Sequence, residues 1–393
     1  MTQIDLAAQP STDTTMTSLW RPIDVGDIGM TSRLAMAPMT RDRSGADGVP
    51  SPMNVAYYAQ RASMGLIITE GTQPSEDGQG YLLTPGVYTD AQIDGWREVA
   101  DAVHQGGGRI VIQLMHVGRI SHPDNTPHGR QPVAPSAVTP GGQMFTATGM
   151  LDMPQPRELS TDEVTTVVQE FRHAAAAAIA AGADGVEIHA ANGYLPQQFL
   201  SSNANQRTDR YGGSIANRIR FAVEVAAAIA DEIGAGRTGI RISPGGVFND
   251  IIEDDIHELY VALVDALAPL NLAYLHLSHG GDEELLRTIR SAWPTALLVN
   301  RGGADLATRV HDLDDGLADV ITVGTMSLAN PDLVERLKAG APLNAPEPGS
   351  FYGGDEGGYL DYPTLTPART SATRRQDRGF GRALRLLRGL KGR

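Results

Sequence analysis

Short runs of apolar, often β-branched residues alternate along the chain with longer stretches in which apolar positions recur at helical spacing. Eight of these runs predict strands. They cover residues 33–39, 66–72, 109–115, 185–191, 239–244, 273–278, 296–302 and 319–325. Their continuous apolar character is typical of strands that are covered on both faces, as in a parallel sheet. Because a doubly wound sheet normally has fewer strand–helix units, the pattern predicts a (β/α)8 TIM barrel within the α/β class.

Helix start signals support this alternation. The pairs Thr89/Gln92 and Ser160/Glu163 have the spacing of capping boxes, in which two side chains satisfy the free backbone N–H groups of a first helical turn. The second pair opens the clearest helix, an alanine-rich stretch that we expect to stop at Gly182.

Two segments interrupt the regular spacing. The loop after the third strand, residues 119–157, is rich in Pro, Gly, Ser and Thr, and we expect it to cover the active site. Residues 343–367 contain FYGGDEGGYLDYP, which is too aromatic for a plain linker, so we expect this segment to fold back onto the chain. The sequence thus divides into a flexible N-terminal segment (1–18), one barrel domain (19–367) and a basic tail (368–393).

Composition excludes several classes of chemistry. The chain has 393 residues and no cysteine, which rules out disulfides, thiolate zinc sites, cysteine-ligated iron–sulfur clusters and a cysteine nucleophile. No histidines and carboxylates have credible metal-ligand spacing, so we expect no metal. The net charge of −14 argues against nucleic acid as a partner of the barrel. Lacking a secretory signal or a membrane-spanning apolar run, the protein is expected to be cytoplasmic.

The tail differs from the rest in charge. Residues 368–393 carry nine Lys or Arg against the single acid Asp377, with Phe380, Leu384 and Leu387 at helix-like spacing. A basic amphipathic segment can lie on an anionic membrane or dock on a partner. Attraction to the acidic barrel is a further possibility, and a disordered solubilising tail is the interpretation that we favour.

Polar residues gather where the predicted strands end, the place at which barrel enzymes carry their catalytic groups. Gln113 and Arg241 lie inside strands that otherwise require apolar residues, and a buried amide or guanidinium is costly unless it is paired. A planar heterocycle with carbonyls and ring nitrogens would pair with both, although the two could also satisfy each other. The other members of this set are Thr40, His189, Asn192, Tyr194 and Arg301.

Three residues at and just beyond the end of the fourth strand form a candidate catalytic group. His189 and Asn192 carry N–H donors that could converge on one ligand oxygen and stabilise developing negative charge. Tyr194, with an ordinary pKa of about 10, is a plausible proton donor to carbon. The trio suits the polarisation of a carbonyl and protonation of its α-carbon. The two electrons must then come from a bound organic cofactor.

The stretch HAANGYLPQQFLSSNANQRTDRYGGSIANR, together with RLAMAPMTR, TEGT, GYLLTPGVY, IQLMHVGRISH, GIRISP, ANPDLVERL and FYGGDEGGYLDYP, resembles the old yellow enzyme family. The likeness runs in order from Leu19 to Pro363. It implies an FMN-binding (β/α)8 barrel that is reduced by NADPH or NADH. Hydride would pass from flavin N5 to the β-carbon of a small α,β-unsaturated carbonyl or nitro compound, while Tyr194 protonates the α-carbon.

The resemblance also assigns residues to roles. Pro38, Met39 and Thr40 would line the flavin, with Gly71, Gln113 and Arg241 at its pyrimidine. His189 and Asn192 would hold the substrate carbonyl, and Tyr81 and Tyr352 would line the substrate cavity. The flavin phosphate would lie near Arg301, Gly302, Gly303, Gly324 and Thr325.

Alternatives remain open within the same fold. The barrel could act on nitro or nitrate-ester substrates, or serve as a non-catalytic flavin sensor, and it could form a homo-oligomer.

Three departures from the family pattern change what can be expected of the site. Thr325 stands where an arginine usually grips the phosphate, so we hypothesise that Arg301 supplies that charge. Met115 replaces a common tryptophan and Gly71 a frequent alanine, and both changes are expected to widen the cavity.

Overall fold

The computed structural model describes residues 16–365. Its strands are β1 (Ile23–Val25), β2 (Ile28–Met30), β3 (Leu34–Met36), β4 (Leu66–Ile68), β5 (Ile110–Leu114), β6 (Val133–Ala134), β7 (Gln143–Thr146), β8 (Gly149–Asp152), β9 (Arg157–Glu158), β10 (Gly185–Ala190), β11 (Thr238–Ile242), β12 (Tyr274–His279), β13 (Ala296–Arg301) and β14 (Val320–Val323).

The α-helices of the same part of the chain are α1 (Pro52–Ala59), α2 (Asp90–Gln105), α3 (Thr161–Ala180), α4 (Leu195–Leu200), α5 (Ile215–Arg218), α6 (Arg220–Ile233), α7 (Ile256–Leu267), α8 (Glu283–Ala292), α9 (Leu306–Asp314), α10 (Thr325–Ala329) and α11 (Leu333–Ala339).

The centre of the fold is a closed barrel of parallel strands in the order β3, β4, β5, β10, β11, β12, β13 and β14, with β14 paired back to β3. Every predicted strand is one of these eight, so the barrel prediction is confirmed. Seven of the observed strands are shorter than the apolar runs that predicted them, mainly because the runs continue into the loops at the carboxyl ends; β12 is as long as its run.

Both predicted capping boxes are present. At the start of α3, the backbone N–H of Glu163 donates to Ser160 Oγ and that of Ser160 donates to the Glu163 carboxylate at 2.8 Å. Thr89 and Gln92 make the same reciprocal pair at the start of α2. After α3, Gly182 has a φ of 94°, a left-handed conformation that glycine adopts without a Cβ clash, and the helix ends there as expected.

Strand register places the polar groups of the barrel interior in two neighbouring layers. Gln113 on β5 pairs with Glu187 on β10, and two residues further along His189 on β10 pairs with Arg241 on β11. Side chains two positions apart on a strand point to the same face. The four groups therefore enter the barrel together, beneath its carboxyl end.

The long loop after β5 is folded rather than extended. It contains the antiparallel hairpin β7–β8 and the short parallel pair β6–β9. The C-terminal segment folds back, as expected: the ring of Tyr359 stacks on that of Tyr57 in α1 with centroids 4.2 Å apart.

Within residues 16–365, no helix is long and apolar enough to cross a bilayer. Residues 1–15 and the basic tail 368–393 lie outside the described residues, so the predictions made for them stay predictions.

Candidate active site

A cavity of about 780 Å³ opens at the carboxyl end of the barrel. The predicted site residues that line it are Pro38, Met39, Thr40, Tyr81, Gln113, His189, Asn192, Tyr194, Arg241, Thr325 and Tyr352. They come from strand interiors, from the loops after β3, β4 and β10, from the first residue of α10, and from the C-terminal segment. The structure thus gathers eleven side chains that are far apart in sequence around one space.

His189 and Tyr194 lie against each other in this cavity. Their ring centroids are 4.9 Å apart, with the planes inclined by 61°. Burial, reinforced by the positive charge of Arg241, holds the pKa of His189 well below its usual range, so the imidazole is neutral. Its Nδ1 is buried without a partner among the described residues. A neutral ring with an unsatisfied nitrogen is suited to hydrogen bonding with a neutral ligand oxygen.

The loop that carries Asn192 is fixed by its backbone. Asn192 has a φ of 55°, its N–H donates to Ser243 Oγ at 2.9 Å, and its carbonyl accepts from Asn249 Nδ2 at 2.7 Å. Gln197 and Gln198 of α4 then hold the next residue, Gly193, by its N–H and its carbonyl. With the main chain held on both sides, the Asn192 side chain stays at the cavity wall.

The phenol of Tyr194 is hydrogen-bonded to a second phenol. Its hydroxyl lies 3.0 Å from that of Tyr81, and the two rings meet edge to face. Burial raises the pKa of Tyr194 to about 12, although the hydrogen bond with Tyr81 opposes the shift. Tyr194 therefore keeps its proton at any physiological pH, until a strong base forms beside it.

Beneath the trio, Glu187 organises a buried network. Its carboxylate accepts a hydrogen bond from Gln113 Nε2 at 2.7 Å and lies 2.9 Å from His276 Nδ1. The other ring nitrogen of His276, Nε2, lies 2.9 Å from Thr322 Oγ1. Burial alone would raise the pKa of Glu187, but His276, Arg241 and Gln113 stabilise the anion and the net shift is downward. Gln113 thus pairs with Glu187, and not with Arg241 as one interpretation of the sequence allowed.

Arg241, in the neighbouring layer with His189, has an unsatisfied side chain. Its side chain is buried, at 7% exposure, and its Nε has no hydrogen-bond partner within residues 16–365. Burial lowers the pKa of Arg241. The negative charge of Glu187, acting through space, is the main influence that opposes this shift. A buried guanidinium that lines a cavity calls for an acceptor, and a heterocycle with carbonyl oxygens supplies one.

Five predicted cofactor residues do not line the cavity: Gly71, Arg301, Gly302, Gly303 and Gly324. Gly324 still lies close, because a Cβ built on it would be 3.5 Å from Met39 Sδ. Gly303 has a φ of 76°, which a bulkier residue would adopt only with strain. Buried Arg309 ties the loop after β13 to strand β14, because it donates to the carbonyls of Ala304 and Thr322.

The contacts of Arg301 do not favour the hypothesis that it supplies positive charge to a phosphate. The Arg301 guanidinium donates to Asp312 Oδ1 at 2.9 Å and to Glu283 Oε1 at 2.6 Å, with further bonds to the second oxygen of each carboxylate. These two anions raise the pKa of Arg301 above its ordinary value. Because the Arg301 guanidinium is hydrogen-bonded to two carboxylates that also neutralise its charge, Arg301 joins β13 to α8 and α9.

The expectation that Gly71 widens the cavity is also corrected. A Cβ on Gly71 would clash with the Sδ of Met115, which means that the methionine side chain fills the space above the glycine. Met115 lines the cavity whereas Gly71 does not. The small residue makes room for its neighbour and not for a ligand.

Several lining residues were not foreseen. Asn249 lies in the loop after β11. Met144, Met150 and Met153 come from the β7–β8 hairpin and its exit, and their position supports the expectation that the long loop after β5 covers the site. Asp42, two residues beyond Thr40, also lines the cavity; an acid so close to a strand end was the available signal. Within residues 16–365, no group of His, Asp and Glu could hold a metal ion.

Comparison with known proteins agrees with this geometry. Residues 18–344 match the model of the NADH:flavin oxidoreductase / NADH oxidase family. A probable flavin mononucleotide-dependent alkene reductase of Leishmania infantum is 41% identical over 356 residues, which cover 88% of this chain and 97% of the relative. 12-Oxophytodienoate reductase 1 of Oryza sativa subsp. japonica is 40% identical over 366 residues, covering 88% and 93%.

Among solved structures, morphinone reductase in complex with tetrahydroNAD matches with a TM-score of 0.86 and 43% identity, over 90% of this chain and 99% of that one. With a family model that spans most of the chain and relatives above 40% identity, the chain belongs to the NADH:flavin oxidoreductase family, the family of the old yellow enzymes.

Proposed function

We propose that this protein is an FMN-dependent NAD(P)H oxidoreductase that reduces the activated C=C bond of small α,β-unsaturated carbonyl or nitro compounds. The names of its relatives support this assignment: an alkene reductase, a 12-oxophytodienoate reductase, and a morphinone reductase solved with a nicotinamide analogue. The observation that carries it is the placement of His189, Asn192 and Tyr194 on one wall of the cavity that Arg241 and Gln113 also line. No observation favours the nitrate-ester or sensor alternatives.

The residues present fit FMN. Unpaired Arg241 and the amide of Gln113 offer donors to the carbonyl and ring-nitrogen edge of a flavin, with Pro38, Met39 and Thr40 beside it. The main-chain N–H groups of the loops after β13 and β14 would hold the phosphate. When bound, FMN supplies the hydride that it has received from NAD(P)H.

His189 and Asn192 bind the substrate oxygen. As the C=C bond accepts a hydride at its β-carbon, negative charge moves onto this oxygen, and donors that already point at it lower the barrier. The neutral state of His189 matters because a permanent imidazolium would stabilise anions before reaction as well as during it. The fixed backbone of Asn192 keeps the second donor from reorganising.

Tyr194 completes the reaction by protonating the α-carbon. An enolate carbon is basic enough to take a proton from a phenol whose pKa is about 12, whereas bulk water reaches the covered cavity less readily. Tyr81 then stabilises the Tyr194 phenolate through the 3.0 Å hydroxyl contact until solvent returns the proton. The π bond is replaced by two C–H bonds, and NAD(P)H is the species oxidised.

The deciding experiment is anaerobic spectroscopy of the purified holoprotein. A yellow sample should bleach on addition of NADPH or NADH and regain its colour when 2-cyclohexen-1-one is added, with cyclohexanone as product. A colourless protein that cannot be reconstituted with FMN, or a reduced one that no enone reoxidises, would contradict the proposal.

A further inference from the structure

An unpaired carboxyl group lines the same cavity. Asp42 lies in the loop after β3, on the wall that also contains Tyr81, Tyr194 and Tyr352. Its backbone has a φ of 56°, in the left-handed region that costs most side chains about 1 kcal/mol or more. Asp and Asn enter this region more readily than other residues with a Cβ. The loop therefore turns the carboxyl toward the cavity at a cost to the backbone.

The neighbouring arginines do not neutralise this acid. Arg41 donates to the Tyr57 hydroxyl and to the carbonyls of Phe351, Ser350 and Gly358. Arg43 likewise donates to backbone carbonyls, mainly of the C-terminal segment. Both guanidinium groups are thus hydrogen-bonded to other parts of the chain and not to the Asp42 carboxyl group.

Asp42 itself makes no side-chain hydrogen bond or ion pair that residues 16–365 provide, and its Oδ1 is shut off from solvent. Burying an unpaired carboxylate costs several kcal/mol, so such a group either takes up a proton or is paired by a ligand. Burial, helped by nearby Glu70, raises the pKa of Asp42 to about 7 despite Arg41 and Arg43. Near neutral pH the acid is thus balanced between these two outcomes.

We propose that Asp42 is a substrate-binding group that selects compounds carrying a hydroxyl or ammonium donor away from the reacting carbonyl, and disfavours those carrying a carboxylate there. This inference rests on the proposed function and names its substrate class. The trio at His189 recognises only the activated end of a substrate. Asp42 is an acidic group on the same cavity wall that lies outside the trio, and so it can read the remote end.

The other groups around Asp42 leave its charge exposed to a ligand. Tyr81 and Tyr194 face it, and the acid contributes to the raised pKa of both phenols, which remain neutral. Behind the loop, burial raises the pKa of Glu70, while hydrogen bonds from the Arg41 backbone N–H, Asn54 and Tyr58 favour its anion. With a pKa raised to about 7 by burial, Asp42 changes its charge between pH 6 and pH 8.

The test uses 4-phenyl-3-buten-2-one with one para substituent: dimethylammoniomethyl, hydroxymethyl or carboxylate. The charge of each substituent, positive, zero or negative in this order, stays the same between pH 6 and 8. For each holoenzyme, kcat/KM per bound FMN is divided by the same enzyme's value for 2-cyclohexen-1-one. We expect the ammonium compound to exceed the carboxylate at least tenfold at pH 8 and less than threefold at pH 6. In Asp42→Asn, which keeps the size and the backbone preference, the ratio should be near one at both pH values.

The matched control is Asp101→Asn, an exposed acid on α2 that should keep the wild-type ratio at both pH values. A ratio that is the same in wild type and Asp42→Asn overturns the proposal, as does a preference for the carboxylate.

Calorimetry of the saturated ketones, 4-phenylbutan-2-ones with the same substituents, gives an independent reading, because binding does not require turnover. A wild-type holoenzyme that reduces no enone contradicts the proposed function, yet its binding ratio still supports or overturns the role of Asp42.

Discussion

The hydroxyl of Tyr194 lies 3.0 Å from the hydroxyl of Tyr81, and the Tyr194 ring also contacts the imidazole of His189. The Tyr194 phenol thus contacts both His189, which would polarise a substrate, and Tyr81, whose hydroxyl can share the negative charge of a Tyr194 phenolate. The arrangement separates two roles that a single acid could not fill at once. In the proposed mechanism, His189 would give its hydrogen bond without a net charge, and Tyr194 would give its proton only when a carbon base has formed.

Replacing Tyr194 by phenylalanine tests the proton transfer. The variant removes the proton and leaves the ring packing, so reduction of bound FMN by NADPH should change less than twofold. Reoxidation by 2-cyclohexen-1-one should slow by about 10²-fold or more, the usual contribution of a positioned acid. Stopped-flow absorbance of the flavin separates the two half-reactions. Tyr88→Phe, at a half-buried position outside the cavity, is the control, and an unaltered reoxidation rate in Tyr194→Phe would remove Tyr194 from the mechanism.

The pH profile of reoxidation by this uncharged enone should be nearly flat from pH 6 to 9. His189 has a lowered pKa, so its neutral form is already complete at pH 6 and is lost only when the pH falls well below that. Tyr194, with a pKa near 12, stays protonated throughout the range. A rate that rises through a midpoint near 6.5 would show instead that the imidazole titrates normally.

The sequence is sufficient to predict the barrel because each strand and helix is specified locally. The run from Gly185 to Ala190 is apolar except at Glu187 and His189, and these exceptions point inward, where the register joins them to Gln113 and Arg241. Residues at strand ends converge in any barrel of this kind. Pattern and resemblance were therefore enough to predict eleven residues that line the cavity.

What could not be predicted depends on partners brought from far along the chain. Arg301 looked available because its carboxylates, Glu283 and Asp312, belong to two different helices. Asp42 was not among the predicted site residues, and only the folded C-terminal segment draws the flanking Arg41 and Arg43 away from it. Spacing along a strand gives the direction of a side chain, but the competition for its hydrogen bonds is decided by tertiary structure.

Gly71→Ala should act through Met115. The new methyl group takes space that the methionine now occupies, and since the thioether is flexible it should move toward the cavity. We expect a rise in KM for bulky enones of about threefold to tenfold and a loss of roughly 1 kcal/mol in the free energy of unfolding. Adding Met115→Ala should restore KM, a coupling that a double-mutant cycle measures. Additive effects would show that the two sites do not interact.

Asp42→Asn should stabilise the protein at alkaline pH. The folded chain holds the Asp42 proton up to about pH 7, whereas the unfolded chain releases it near pH 4, so wild-type stability falls as pH rises between these values. Asparagine has no proton to lose. The difference in unfolding free energy should therefore be small at pH 4 and grow to roughly 1–3 kcal/mol at pH 8, allowing about 1.4 kcal/mol per pK unit as an upper limit. Urea denaturation at pH 4, 6 and 8 measures it, and a constant difference would contradict the raised pKa.

Arg241→Ala should lower cofactor retention, whereas Arg301→Ala should lower fold stability. Arg241 is buried, unpaired at Nε and part of the cavity wall, so its loss should weaken FMN binding by about tenfold to a hundredfold, the value of a charged hydrogen bond. Arg301 is saturated by Glu283 and Asp312, so its removal should leave FMN affinity within twofold while exposing two adjacent carboxylates to mutual repulsion.

Flavin absorbance after dilution and gel filtration measures retention, and thermal unfolding measures stability. Arg287→Ala, an exposed position on α8, should change neither quantity. If Arg301→Ala releases its flavin as readily as Arg241→Ala does, the ion pairs seen at Arg301 must give way to the phosphate when FMN binds, and the original assignment of Arg301 to the phosphate site is restored.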